Sequence, residues 1–393
     1  MSTFDWIVVG AGITGASLGY ELAKQGFSVL LLDQSATPAS ATQFSYGGIA
    51  YWSGTSDLTR QLCAEGLDRH RSLSLELDAD TEFRELDLLL TIDAENNPSA
   101  IADRYSIFAI PPRSLSIKEA CELEPLLDPT HLSGALTVRH GHINAKKTAE
   151  AYCQAMQRFG GKYTIAKITE FNRSRSNRIT GVITSEGQFH SGNVAVCVGG
   201  ITRQLLQQAG ISVTQYFTHA ELIETPPVEL ALQTLVMPAE ADRFQLEADA
   251  TRPEVEDLWN TPGHEPAPMI LDAGAVQFRD RRLYIGQVSR TLSDPNASID
   301  PIKSEFLLRE KIRRVLPSVA ALPGTWRHCL IAFSRDRLPL VGEIEGVEGL
   351  TIFSGFSNPL SIVPPLAQRF AIAATGQRDS LLSELSPQRF KPT

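Results

Sequence analysis

Cysteine is scarce and unpatterned: the 393 residues hold five, Cys63, Cys121, Cys153, Cys197 and Cys329, with no C-x-x-C pair. An odd, scattered set of this kind excludes a structural zinc site and points to a reducing, cytoplasmic compartment. The eight histidines include no H-E-x-x-H. His140 and His142 share one face of an expected strand, where such a pair is more often core or surface than metal-binding. No apolar run approaches the roughly 18 residues of a membrane-crossing helix. No basic stretch precedes the first apolar run, so a signal peptide is not expected. Basic clusters are also lacking. The net charge is −9, and the tightest basic group, Arg279, Arg281 and Arg282, reads better as a solvated turn or strand end than as a phosphate patch, which argues against a nucleic-acid surface. No low-complexity tract interrupts a composition of 42% hydrophobic and 21% charged residues, ordinary for a globular chain long enough for two domains.

What the chain does have is concentrated at its start. Residues 4 to 33, FDWIVVGAGITGASLGYELAKQGFSVLLLD, read as strand, glycine turn, helix, strand and acid, the unit that holds a dinucleotide pyrophosphate. Gly10 permits the tight turn, Gly12 lets backbone approach the phosphates, and Gly15 lets helix and strand pack closely. The helix is expected over Ile13 to Lys24, its free N–H groups and positive dipole end facing the pyrophosphate. A second strand, Ser28 to Leu32, ends at Asp33, eighteen positions after Gly15, where a carboxylate can accept both hydroxyls of an adenosine ribose and would repel a 2′-phosphate.

Beyond this unit, residues 34 to 50, QSATPASATQFSYGGIA, suit a loop beside a ligand. A helix near Asp57 to Leu77 and strand-like pieces such as LDLLLTID suggest an inserted domain up to Val138. A helix opening near Asn144 and closing at Gly160 and Gly161 is followed by three expected strands, TIAKITEF, RITGVITSEG and NVAVCVGG. The last ends in Gly199 and Gly200, a pair that brings backbone near a flat cofactor. After a β-rich stretch, a helix is expected at Ile302 to Leu316, ended by Pro317. Residues 335 to 376 then return to strand, Gly355 turn and helix, whose N-terminus could face an anionic reduced flavin.

Over nearly its full length the sequence resembles the FAD-dependent amine and amino-acid oxidoreductases, a family that includes D-amino-acid oxidase, glycine oxidase and monomeric sarcosine oxidase. VVGAGITGASLGYELAKQG with Asp33, the AVCVGG strand, and DRLPLVG followed by a G-F-S segment and helix carry the likeness. The resemblance implies an α/β fold: a Rossmann-like FAD-binding domain from residues 1–50, 139–210 and 331–393, interleaved with an α+β substrate domain from 51–138 and 211–330 on a large mixed or antiparallel sheet. It implies FAD held by Gly10, Gly12, Ile13, Thr14, Gly15, Asp33, Gln34 and Ser40, with an adenine contact near Ile168. Gly47, Gly48, Gly199, Gly200 and the run Gly355, Phe356, Ser357, Asn358 and Leu360 would surround the ring. The implied activity is oxidation of a C–N bond in a small amine or amino acid. Hydride passes to flavin N5, the imine hydrolyses, and oxygen or an electron carrier takes the electrons. Such chemistry needs positioning more than a general base.

Departures from the family pattern bear on the substrate. An arginine just upstream of the family's T-P-D-x-x-P motif usually holds the substrate carboxylate; in HCLIAFSRDRLP, Ile331 takes that place. An oxygen-activating lysine two residues before a glycine is replaced in LYIGQ by Tyr284. The missing cation favours a dehydrogenase over a fast oxidase, and the loop Ser45 to Trp52, with Tyr46, Tyr51 and Trp52 but no arginine before Arg60, favours an apolar or aromatic amine over a small amino acid. Tyr51, Tyr284 and Arg335 are the candidates for the substrate or flavin face, with surface or core packing the competing role of each. Cys329 stands at the spacing from Asp336 where sarcosine oxidases form a thioether to the flavin, with Arg327 and His328 as neighbouring positive charge. An inert buried thiol is the commoner fate, and non-covalent FAD is the favoured reading. The alternatives are an FAD dehydrogenase of a 2-hydroxy-acid type substrate and a non-catalytic FAD-binding subunit. A nicotinamide dehydrogenase, a reductase with a second dinucleotide site and a flavin monooxygenase each lack a required segment.

Overall fold

The computed structural model describes residues 3–36, 40–240 and 242–390. Three residues of the expected loop 34 to 50, numbers 37 to 39, lie outside the described residues. Two sheets organise the chain. In the first, five parallel strands run in the order Leu350–Ser354, Gly187–Val196, Thr3–Val9, Val29–Asp33 and Lys162–Ile165, with Leu340–Glu343 antiparallel at one edge. The central strands are apolar along their length because both faces are covered: Ile7, Val8, Leu30, Leu31 and Leu32 are at most 1% exposed. Each such side chain contributes about 1.5–3 kcal/mol through burial.

The helices Ile13–Lys24, Asp57–Glu76, Ala145–Arg158 and Pro359–Ala374 pack on one face of this sheet and share a core that includes Leu18, Leu22, Leu73, Tyr152 and Leu366. The expected bounds of the first three hold to within a residue or so. One expected strand does not survive whole. TIAKITEF splits into Lys162–Ile165, parallel to Val29–Asp33, and Ile168–Arg173, antiparallel to Ile179–Thr184. The break falls where the Ala166 amide donates to the Asp33 carbonyl (2.7 Å), turning the chain from one partner to the other.

The second sheet is mixed. Its order is Thr325–Ser334, Gln215–Glu224, Leu283–Thr291, Ala267–Gln277, Leu235–Pro238, Arg84–Asp93, Leu132–His142 and Gly48–Ile49, antiparallel throughout except where Leu235–Pro238 meets Arg84–Asp93. One face buries Leu89, Ile223, Ile285 and Val288 against the helix Pro301–Arg313 and the short helix Pro317–Ala320. The longer helix stops at Arg313, before the expected Leu316, because Pro317 opens a new helical turn at its N1 position rather than ending the old one. The other face, with Leu88, Leu90 and Tyr284, packs against an aromatic group of Phe44, Tyr46, Trp52 and Phe278. The two-residue strand Gly48–Ile49 ties the loop that follows the first Rossmann unit to this sheet. The arginine trio falls in the turn between Ala267–Gln277 and Leu283–Thr291, where Arg282 pairs with Glu224 and Asp280 (2.6 and 2.8 Å) and Arg279 with Asp80 (3.2 Å).

Candidate cofactor and substrate site

A cavity of ≈ 760 Å³ opens above the carboxyl ends of the first sheet's parallel strands, where open α/β sheets bind their ligands. Gly10, Gly12, Ile13 and Thr14 line one part of it, with Asp33, Gln34, Ser40 and Ile168 nearby. Gly199, Gly200, Gly355, Phe356 and Leu360 line its other side. Thirteen of the residues expected to bind FAD therefore meet around one space.

Local geometry explains why the turn is built this way. The helix Ile13–Lys24 begins at Gly12, which has no side chain of its own to cap it, so most of its first N–H groups are left for an anion. The Thr42 hydroxyl accepts one N–H, from Ile13 (2.9 Å), and the Asp33 carboxylate accepts from the Ala11 amide (2.7 Å) and the Ser35 amide (3.1 Å). Each Asp33 oxygen keeps a further lone pair for a ligand hydroxyl. Gly15 does not line the cavity. A Cβ there would drive into the Gly10 carbonyl oxygen and stand 3.0 Å from the Cys197 Cβ, so its task is the close helix–strand approach that the sequence assigned to it.

The far side is fastened from the C-terminal helix. Asn358 donates to the Ala50 carbonyl and the Ser53 hydroxyl (both 3.4 Å), clamping the loop after Gly47 and Gly48. The ring of His70 hydrogen-bonds the Leu360 carbonyl (2.6 Å). Burial pushes His70 down to about 4, and pushes His140 and His142 to about 3 and His219 to about 4. These rings are neutral when folded. An unfolded histidine titrates near 6.5, so the stability that depends on their neutrality is complete above that pH and is lost as pH falls toward 4. The melting temperature is expected to hold steady from pH 8 to about 6.5 and to drop between pH 6 and 4.5, with less of a drop in His70→Gln. A flat profile across pH 6 to 4.5 contradicts this.

Several expected site residues lie elsewhere. Gly47, with φ +73, and Gly48 press against the His142 and His140 rings, a Cβ on Gly48 falling 2.7 Å from His140 Nε2; they brace the loop outside the cavity lining. Ser357 and Asn358 also stand outside that lining, Asn358 because its amide is committed to the loop clamp. Tyr51, Tyr284 and Arg335 do not converge. The Tyr51 hydroxyl turns to Glu85 (3.3 Å), that of Tyr284 donates to the Gln43 carbonyl (3.1 Å), and Arg335 is a half-exposed partner of Glu256 (3.4 Å). Tyr284 borders a second space of ≈ 180 Å³ shared with Thr42, Ser45 and Ala145 of the first, and none of the three lines the large cavity.

The conditions for a Cys329 thioether are also missing. The thiol is buried, and burial pushes it up to about 12, far from a reactive thiolate. Arg327 is engaged with Glu224 (2.9 Å) and His328 stacks on Trp326. Its neighbours Leu330, Ile331 and Ala332 line the large cavity, so the strand passes the site and presents an apolar side chain, not a cation, at Ile331. Sequence reasoning missed Thr42, Ser45, Gln204, Gln208 and Asn296, which line the same cavity. Thr42 and Ser45 fall in the loop read as lying beside a ligand without being singled out, and Gln204 and Gln208 lie on a short helix, Thr202–Gln208, that carries no motif.

An uncapped helix N-terminus, a close-packed glycine turn and an acid at the second strand's end, over a parallel sheet, define a dinucleotide-binding oxidoreductase. The chain belongs to the family described as FAD dependent oxidoreductase, whose sequence profile matches residues 5–371. It is 26% identical to the uncharacterized oxidoreductase YurR of Bacillus subtilis, over 98% of this chain and 97% of that protein. It is 24% identical to 4-methylaminobutanoate oxidase (formaldehyde-forming) of Paenarthrobacter nicotinovorans, over 98% of this chain but 45% of that one, and so spans under half of that relative. The glycine oxidase structure from Geobacillus kaustophilus superposes with a TM-score of 0.80 at 20% identity, covering 100% of both chains, and has the same fold. The residues present fit FAD: the helix N-terminus suits the pyrophosphate, Asp33 keeps acceptors for the ribose, and the cavity continues past them to Gly199, Gly200 and Gly355. Among the described residues, no helix is long and apolar enough to cross a membrane and no cluster of ligating side chains could hold a metal.

Proposed function

We propose that this chain oxidises a C–N bond of an amine or amino acid, with FAD held along the large cavity. Gly10, Gly12, Ile13, Thr14, Asp33, Gln34, Ser40 and Ile168 would hold the nucleotide half, and Gly199, Gly200, Gly355, Phe356 and Leu360 the ring half. When bound, FAD would supply a two-electron acceptor at N5 for the hydride on the carbon that bears nitrogen, and water would hydrolyse the resulting imine. In this reading segments 1–50, 139–210 and 331–393 form the FAD-binding domain and 51–138 and 211–330 the substrate domain, with Gly48–Ile49 and the ends of Leu132–His142 and Thr325–Ser334 as the stitches between them. The observation that carries the proposal is the single cavity joining the head of the helix Ile13–Lys24 to the head of Pro359–Ala374 beneath Ile331. The names of two relatives, an oxidase of 4-methylaminobutanoate and a glycine oxidase, support nitrogen-bearing substrates. Tyr284 in the lysine place offers no fixed cation for oxygen, so an electron carrier is the favoured acceptor.

The test is spectroscopic. The purified protein is expected to be yellow, to release its colour to the supernatant on acid precipitation, and to bleach anaerobically with at least one primary or secondary amine, recovering only slowly in air. Failure of a broad panel of amines and amino acids to bleach bound flavin, while a 2-hydroxy acid does, overturns the C–N assignment.

A further inference from the structure

The glycine turn on the far side of the cavity is held from the second sheet by one buried amide. Gln215 opens the strand Gln215–Glu224 and is 0% exposed. Its Nε2 donates to the Gly199 carbonyl (2.9 Å), which also accepts from the Thr202 amide. Gly199 has φ +55, a backbone conformation that favours glycine, and with Gly200, Ser354 and Gly355 it lines the cavity. Gly200 is pressed against the Leu330 side chain, so close that a Cβ there would overlap it. The turn is thus wedged between two strands of the second sheet.

The same side chain reaches the other segment on this side. A Cβ on Gly355 would stand 3.6 Å from Gln215 Oε1. Beside it the Thr202 and Ser354 hydroxyls, both buried, hydrogen-bond each other (3.1 Å). The chain after Gly187–Val196 and the end of Leu350–Ser354 are therefore tied together, and Gln215 packs against both.

Stability alone does not explain an amide at this position. Gln215 Oε1 is buried with no hydrogen-bond partner, so the loss at that atom offsets much of the gain at Nε2. An unbranched apolar side chain of similar length would be buried without a desolvated oxygen. What the amide adds is direction: it fixes one peptide unit of the cavity wall.

We infer that Gln215 is a positioning residue for the ring half of FAD. It stands outside the cavity lining and acts through the Gly199 carbonyl, holding the Gly199–Gly200 turn in register with Gly355. This rests on the placement of the ring between those glycines proposed above, and deepens it by naming the residue of the second sheet that fixes that placement.

ADP carries the nucleotide half of FAD without the ring, so the two ligands report on the two halves of the site. Each is titrated by calorimetry into the flavin-free full chain of the parent and of Gln215→Met, which keeps the length and removes the donor. FAD affinity is expected to fall about tenfold in the variant, while ADP affinity stays within about twofold. The variant should melt close to the parent, and the visible circular dichroism and reduction potential of its bound flavin should shift. Gln215→Asn, one methylene too short to reach the carbonyl, is the second variant and should show the same pattern. Equal losses for FAD and ADP, or a lower melting temperature with FAD affinity and flavin dichroism unaltered, overturn the inference and mark Gln215 as structural only. If ADP binds the parent as tightly as FAD does, the ring contributes nothing between these glycines and the placement itself fails. If FAD binds the parent far more tightly than ADP and Gln215→Met changes neither, the placement stands and this inference fails.

Discussion

Replacing Gly15 by alanine is expected to give a protein that purifies without flavin and melts well below the parent. The added methyl points into the Gly10 carbonyl oxygen, which is backbone and cannot rotate away, and reaches the Cys197 side chain just past the adjoining strand Gly187–Val196 (3.0 Å). Overpacking of this kind costs about 1–3 kcal/mol, and here the relief route is a shift of the helix whose N-terminus lines the cavity. Gly12→Ala is the contrasting variant. Its methyl would meet only the Thr42 hydroxyl, at 3.0 Å, and that side chain can turn aside at the expense of its bond to the Ile13 amide. Gly12→Ala should therefore melt close to the parent yet bind FAD more weakly, because the crowding falls on the ligand side of the turn. Flavin content by absorbance and melting by calorimetry separate the two. Equal behaviour of the variants would show that the turn is not organised by helix–strand contact.

The difference between these two glycines was readable in the sequence because local backbone rules fix it: a strand, a turn and a helix of set length leave each glycine one neighbour. The same holds for Asp33 at the strand end and Asn144 as the helix cap, whose side chain accepts from the Lys147 amide (3.2 Å). Side chains on the second sheet were less legible. Tyr284 sits where its spacing to Gly286 places it, but the partner of its hydroxyl is a carbonyl 241 positions away, and no periodicity encodes such a pairing. Arg335 is drawn outward by Glu256, a residue in the 3-10 segment Pro253–Asn260 that no sequence pattern places there. Residues whose role depends on backbone geometry could be named in advance, whereas those whose role depends on which distant charge is already engaged could not.

The largest loss of stability is expected from Arg69→Met. Arg69 reaches from the helix Asp57–Glu76 to Glu21 on the helix Ile13–Lys24 (2.6 Å) and to Glu76 on its own helix (2.6 Å). The Glu21 side chain is 1% exposed, and one of its oxygens has no hydrogen-bond partner. Burial already holds its carboxyl above the ordinary range, with the Arg69 charge pulling it back. Glu76 has other support, from Lys24 (2.7 Å) and the Tyr20 hydroxyl (2.9 Å), so the isolated charge left by the variant is that of Glu21. Leaving one partner of a buried pair alone costs about 3–5 kcal/mol. In the variant, Glu21 can escape by taking a proton, and its raised folded pKa makes the penalty largest at high pH and smaller as pH falls. Arg69→Met should accordingly lose more stability at pH 8 than at pH 5.5 in urea unfolding. Glu21→Gln combined with Arg69→Met removes the orphaned charge and should recover a good part of the loss, giving a coupling of about 2 kcal/mol or more in the double-mutant cycle. Additive losses, independent of pH, would mean that Glu21 is neutral in the parent and that Arg69 acts only through Glu76. Flavin occupancy of the same variants carries the argument to function. The helix tethered by Glu21 is the one that presents its N-terminus to the cavity, so an ion pair on its far side is expected to set how rigidly that N-terminus is held.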